Sequence, residues 1–262
     1  MANPPTWSNV KIRLTLDGAD ASTTITDVSD AAHGFTPVGD AQLDTARKKY
    51  GSAALLLDGT GDAIRAGSIT DLVMAGDFTI EQWVYFVNAT PADYETVFAA
   101  VDGIGFDYIA VTRDTSGILA LSIDASMPIS SGSAVSSGAW HHIAVERSGT
   151  TVKLYLNGTS LGSHTSSATY DISDLYIGAY DYDATTYTLE GSIDDFRWVI
   201  GEAVYGADFT PPAAALPSAA PMAAVTGLVD VVGPLGAPLA FGSLAIGLAS
   251  DPGPLGSVSA LG

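Results

Sequence analysis

The chain contains no cysteine, which excludes disulfide staples and thiolate metal centres. Its 262 residues are enough for a sizeable hydrophobic core that needs no such staples. Basic residues are scarce as well: ten Lys and Arg stand against 29 Asp and Glu, a formal net charge of −19 at pH 7. A surface of that sign repels phosphate backbones, so nucleic acid is not an expected partner. The basic cluster Arg47-Lys48-Lys49 is expected to be a solvated loop. No apolar run resembles the roughly 20 residues of a membrane helix, and no membrane partner is expected. The opening Met1-Ala-Asn-Pro-Pro5 lacks the basic-then-apolar pattern of a secretory signal, so none is expected. Long helical periodicity is missing too.

What the chain does have is alternation of period two. Phe78, Ile80, Val84 and Phe86 alternate with Thr79, Glu81, Trp83 and Tyr85, the pattern of a strand with one face on a core. Trp140–Val145, a polar turn at Arg147–Thr151 and then Val152, Leu154 and Leu156 read as a hairpin. Further strands are predicted at 10–16, 51–57, 63–66, 96–101, 108–112, 118–123, 175–177 and 192–200, with a short one within 23–30 and one helical turn at 71–74. So many short strands predict an all-β, two-sheet antiparallel sandwich over residues 1–210.

The composition shifts after Phe209-Thr-Pro-Pro212. Prolines at 211, 212, 217 and 221 among alanines predict an extended linker over 211–224. Residues 225–262 carry only Asp230 and Asp251 as charges and repeat Gly-Pro-Leu-Gly at 233 and 253. Pro and Gly oppose both helices and central strands there, so the segment is expected to be an extended apolar arm. Leu235, Leu239, Phe241, Leu244 and Leu255 are its expected assembly residues, buried against this domain or a neighbouring chain.

Little in the chain points to catalysis. The Gly-rich stretch Asp58-Gly-Thr-Gly-Asp62 lacks the following helix and the Lys-Ser/Thr of a phosphate loop. His141 and His142 are adjacent and so face opposite sides of a strand, which rules them out as a zinc pair; one is expected beside Trp140 and the other at the surface. Trp83, Tyr85, Tyr94, Tyr108, Tyr180, Tyr182 and Tyr187 offer stacking faces, and Tyr180-Asp-Tyr-Asp183 sets two of them beside carboxylates. Tyr180, Tyr182 and Asp183 are therefore the candidate carbohydrate residues, the alternative being aromatics that simply cover a sheet.

Five motifs in order carry a resemblance: Leu55-Leu-Leu-Asp-Gly-Thr-Gly-Asp62, Phe78-Thr-Ile-Glu-Gln-Trp-Val84, Trp140–Val145, Leu154-Tyr-Leu-Asn-Gly158 and Gly191-Ser-Ile-Asp-Asp-Phe-Arg197. Together they resemble the laminin-G-like, concanavalin A-like jelly rolls, over roughly Val10 to Pro212. Gln82 departs from the pattern, which usually has an apolar residue there. The Ile193–Arg197 strand followed by Tyr205 and Phe209–Pro212 is similar to the versions of this domain in tailed-phage virion proteins.

The resemblance implies a non-enzymatic virion structural protein, a decoration, fibre or tail-associated subunit, located in the particle and partnered by other subunits or by itself. The Glu-x-Asp-x-x-Glu strand of the family's β-glucan hydrolases is absent. The alternative it implies is an adhesin with glycan partners. It also implies one structural Ca²⁺, held by Asp194, the Gly51 carbonyl and, more loosely, Asp17. Against that stands an Asp195–Arg197 surface pair with Asp194 bonded to backbone amides.

Overall fold

The computed structural model describes residues 4–102, 109–180 and 186–219. It contains strands β1 (Val10–Leu14), β2 (Thr36–Val38), β3 (Gln42–Asp44), β4 (Ala54–Asp58), β5 (Ala63–Ala66), β6 (Leu72–Met74), β7 (Phe78–Phe86), β8 (Glu95–Val101) and β9 (Ile109–Arg113). There follow β10 (Ile118–Ile123), β11 (Ser126–Ala134), β12 (Trp140–Ser148), β13 (Thr151–Leu156), β14 (Thr159–Thr165), β15 (Tyr170–Ile172), β16 (Asp174–Ile177) and β17 (Glu190–Ile200). Among the described residues helix is confined to one 3-10 turn, Trp7–Asn9.

Eight strands form one antiparallel sheet in the order β14-β13-β12-β7-β17-β4-β3, with β1 also on β17. Seven form the other, β11-β10-β9-β8-β16-β5-β2, and β15 pairs with β6 beside them. The alternation explains the layering. On β7 the even positions Phe78, Ile80, Val84 and Phe86 enter the core, where they join Ile143, Val145, Leu154 and Phe196 from their own sheet and Phe98, Val111, Leu121 and Ile177 from the other. Phe98 and Phe196 meet edge to face across the sheets at 6.5 Å. The family-like jelly roll expected from the motifs is the fold observed.

One local expectation is corrected. Residues 72–74 form a strand rather than a helical turn: Leu72 and Met74 are buried, Val73 is exposed, and all three pair with Tyr170–Ile172. The odd positions Thr79, Glu81 and Trp83 of β7 face away from the core yet are buried, because the chain after β17 runs back over Thr79 and Glu81 and Lys49 lies over Trp83. Phe209 donates its amide to Gly158 (2.9 Å) and stacks on Tyr205 at 3.5 Å, while the Tyr50 hydroxyl donates to the Pro212 carbonyl (2.5 Å). The stretch expected to be extended after 210 is thus anchored at Pro212, Leu216 and Pro217. The described residues fall within one compact unit, Met1–Pro221. The arm residues Leu235, Leu239, Phe241, Leu244 and Leu255 lie outside the described residues.

Candidate functional site

β17 organises the eight-stranded sheet. Its first part, Glu190–Ile193, pairs with β4, and Phe196–Val199 pairs with β1, while β7 runs along the opposite edge. Between the two the register against β7 slips, and Asp195 takes a left-handed backbone, φ +58°. A bulge of this kind re-aims side chains, and here it sends two consecutive acids to different partners. Asp194 Oδ2 accepts the amides of Lys49 (2.8 Å) and Tyr50 (3.0 Å). Asp195 pairs with Arg13 and accepts the Leu216 amide (2.9 Å); Arg13 in turn donates to the carbonyls of Leu216 (2.7 Å) and Pro217 (3.0 Å). The Asp195–Arg197 surface pair is therefore not formed: both residues are buried, and Arg197 pairs with Glu81 instead.

The structure brings Asp17, Gly51 and Asp194 to one place. Asp194 Oδ1 is buried and meets no protein donor. Burial lifts the carboxyl to about 7, and the charges of Asp195 and Asp17 push the same way against the pull of the two amides. Gly51 has φ +59°, and a β-carbon there would strike the Asp17 carboxylate, so the loop can approach only as glycine. Asp17 Oδ1 also accepts the amide of Ser52 and its hydroxyl (3.1 Å). A buried carboxylate oxygen without a donor, with a second carboxylate acting on it, fits the oxygen chemistry that Ca²⁺ takes.

Beneath the returning chain lies a buried polar network. Arg197 binds Glu81 Oε1, while His142 Nε2 (3.0 Å) and the Tyr205 hydroxyl bind Oε2. Burial alone would raise the Glu81 carboxyl, yet Arg197, with His142 and Tyr205, brings it down to about 2. Glu146 accepts the amides of Tyr205 (2.6 Å) and Gly206 (2.7 Å). These acids hold the returning chain.

His141 and His142 do face opposite sides of β12. Both are buried, however, and His142 lies against Trp83 at 5.1 Å rather than at the surface, because Tyr205 and Phe209 cover it. His141 Nε2 lies 3.2 Å from Ser136 Oγ, which invites a nucleophile–base interpretation. The bonds argue otherwise. Nε2 is 2.8 Å from the Ser136 carbonyl, which requires a proton on that nitrogen, and Nδ1 receives the Asn157 amide at 3.1 Å. With Nε2 protonated, the ring cannot take the proton of Ser136. Burial, helped by Arg113, holds the ring's pKa below its ordinary value.

The aromatic candidates divide by sheet. Trp83 is buried with Lys49 over its ring at 3.8 Å, and Arg47 lies over Tyr85 at 4.4 Å, so these faces are taken. The solvated loop expected at 47–49 is instead draped on aromatic rings at two of its three positions. On the seven-stranded sheet, Tyr187 packs against Tyr94 (5.1 Å) and Tyr180 (5.8 Å). Its left-handed backbone (φ +54°) is held where its carbonyl takes the Thr96 amide (2.8 Å). Tyr182 and Asp183 lie outside the described residues, as does Tyr108.

Tyr94 walls an open groove of about 220 Å³ on the outer face of β9–β11, with Met127 also lining it. Thr112 and Ala120 lie in it on adjacent strands, paired across the β9–β10 ladder. Asp114 and Ser130 add polar groups. Asp114 accepts the amides of Ser116 and Ile118, both at 2.8 Å and both through Oδ1. Tyr94 and Met127 are two of the four large apolar side chains exposed among the described residues. Of the groove residues, the sequence offered Tyr94 as a stacking face. Thr112, Asp114, Met127 and Ser130 carry no local signal beyond a turn at 114–117, since only the pairing of β9, β10 and β11 gathers them.

The architecture and these sites define an all-β, two-sheet jelly-roll sandwich. The chain belongs to the concanavalin A-like lectin/glucanases superfamily, whose Laminin_G_3 model matches residues 58–201, more than half of its length. No curated protein matches the sequence. Among solved structures, the botulinum neurotoxin serotype D binding domain is similar with a TM-score of 0.58 and 12% identity, over 75% of this chain and 49% of that one. Domain 4 of AbnA, a GH43 extracellular arabinanase from Geobacillus stearothermophilus in complex with arabinotriose, is similar at 0.53 and 20% identity, over 74% and 94%. Trypanosoma rangeli sialidase in complex with sialic acid is similar at 0.56 and 16%, over 76% and 31%. The chain thus spans about half of the neurotoxin chain and a third of the sialidase; at these identities the likeness concerns the fold.

Proposed function

We propose that the sandwich is a carbohydrate-binding module that holds glycans without cleaving them, through the groove beside Tyr94. The observation that carries this reading is the groove itself: a stacking ring backed by Tyr187, small residues between the walls, and polar groups from Thr112, Asp114 and Ser130. Pockets that recognise small ligands combine apolar walls with a few placed polar groups in this way. The arabinotriose complex of a domain with this fold supports it. Binding of the full chain to an oligosaccharide panel, measured by calorimetry, tests it. Tyr94→Ala should weaken any specific interaction at least about tenfold, close to 1.4 kcal/mol; binding indifferent to that change sinks the reading.

For the other sheet we propose that Asp17, the Gly51 carbonyl and Asp194 hold a structural Ca²⁺. Added Ca²⁺ should raise the melting temperature of the chain, and Asp194→Asn should abolish that rise while leaving the two amide bonds an oxygen acceptor.

A second reading, the assembly of this chain into a virion or other particle, is favoured by one observation: residues 225–262 carry two charges in thirty-eight positions. An apolar segment of that kind calls for a partner surface.

A further inference from the structure

We infer that the groove beside Tyr94 takes uncharged saccharides and rejects acidic ones; this rests on the carbohydrate-binding reading above. Among the described residues, no Lys or Arg lines the groove. The basic residue of β9, Arg113, is buried and spent on Glu95 (2.9 Å) and on the Asn88 carbonyl. The charge that the groove does carry is the carboxylate of Asp114, whose Oδ2 takes part in neither backbone bond. A carboxylate is acceptor-only, so it suits the hydroxyl donors of a neutral sugar, whereas a sialate or uronate would set acceptor against acceptor.

The rest of the protein strengthens that preference. A net charge of −19 repels an acidic ligand on approach, and at low ionic strength the repulsion extends well beyond contact distance. Where Arg47 and Lys49 could have attracted an acid, they lie over Tyr85 and Trp83 of the other sheet. The groove's volume, about 220 Å³, is below the ~300–1,000 Å³ of sites for drug-sized molecules, which suits one or two sugar rings against Tyr94 with the remainder of a chain outside.

The test uses the full chain, with arabinotriose, cellotetraose, maltotetraose and mannotetraose as neutral probes and sialyllactose and tetragalacturonate as acidic ones, at low and at physiological salt. At least one neutral probe should bind, lose at least tenfold in affinity on Tyr94→Ala, and lose several-fold on Asp114→Asn. Asn keeps an oxygen for the Ser116 and Ile118 amides, so that loss would not report unfolding; melting curves of both variants check it. The acidic probes should stay silent at low salt, and Asp114→Lys should admit one of them. An acidic probe that binds the unaltered chain and is lost on Tyr94→Ala overturns the charge preference and leaves the glycan reading standing. Silence of every probe, or binding indifferent to Tyr94→Ala, overturns the reading and the preference together.

Discussion

Gln82 sits where the strand pattern calls for an apolar side chain. Its neighbours Ile80 and Val84 enter the core, and so does Gln82, with both amide atoms buried and without a protein partner. Burying such a group without a hydrogen bond costs about 1–3 kcal/mol. Gln82→Met, which keeps the length and removes the polar atoms, should therefore raise stability by that order in a denaturant melt; a lower midpoint would mean that the amide has a role that the packing does not reveal. Glu81, one residue earlier, faces the other way and has the opposite prognosis. Glu81→Gln leaves Arg197 buried beside a neutral group, a loss on the order of 3–5 kcal/mol. The pH dependence has a definite sign. With a folded pKa near 2, below the ordinary carboxylate value, Glu81 contributes stability that is fully present above about pH 4.5 and lost as the pH falls toward 2. Stability measured between pH 2 and 6 should therefore have a flatter acid limb in Glu81→Gln than in the unaltered chain.

At the scale of elements, the returning chain from 202 to 217 depends on a turn it does not belong to. Asn157 and Gly158 both adopt positive φ, as a two-residue hairpin requires, and Phe209 lies directly over Gly158. A β-carbon at 158 would run into the Phe209 carbonyl. Gly158→Ala should thus release the segment: amide exchange at 204–216 should quicken while β7 and β12 stay protected, and unchanged protection at Val204 and Leu216 would show that the contact does not hold it. Much of this fold was legible beforehand. Period-two runs such as Phe78–Phe86 marked the central strands, because those strands have one core face. The edge strands β11 and β14 escaped notice, since Ser126–Ala134 and Thr159–Thr165 are mostly exposed and show no clean alternation. Of the Asp194–Gly51–Asp17 junction, Asp194 stands in the Gly191–Arg197 motif, while Gly51 and Asp17 came only with what the resemblance implies. The groove was not legible, as its residues come from Tyr94 to Ser130 and meet only through strand pairing.

For the whole molecule, charge and apolar surface are separated along the chain. Arg13, Arg113, Arg147 and Arg197 are buried on fixed partners, but Asp27, Asp62, Glu81, Glu95, Glu146, Asp194 and Asp195 are buried as well, so the outer surface keeps most of the net negative charge. Arg147, for instance, gives its guanidinium to the carbonyls of Met74 (2.8 Å), Gly76 (2.6 Å) and Ala168 (2.6 Å). Sandwiches so charged repel one another, while residues 225–262 have almost no charge with which to oppose association. Self-assembly, if the arm drives it, should then strengthen with salt, because added ions screen the repulsion between sandwiches and leave burial of the arm's Leu, Val and Phe intact. Light scattering on the full chain and on residues 1–221, the compact unit, at 50 and 500 mM salt measures this. Assembly of the full chain alone, growing with salt, is the expected result and makes the arm the device of association. An assembly that persists in 1–221, or that dissolves as salt rises, would place the contact on charged surfaces of the sandwich, and the apolar arm would then need a partner other than its own copies.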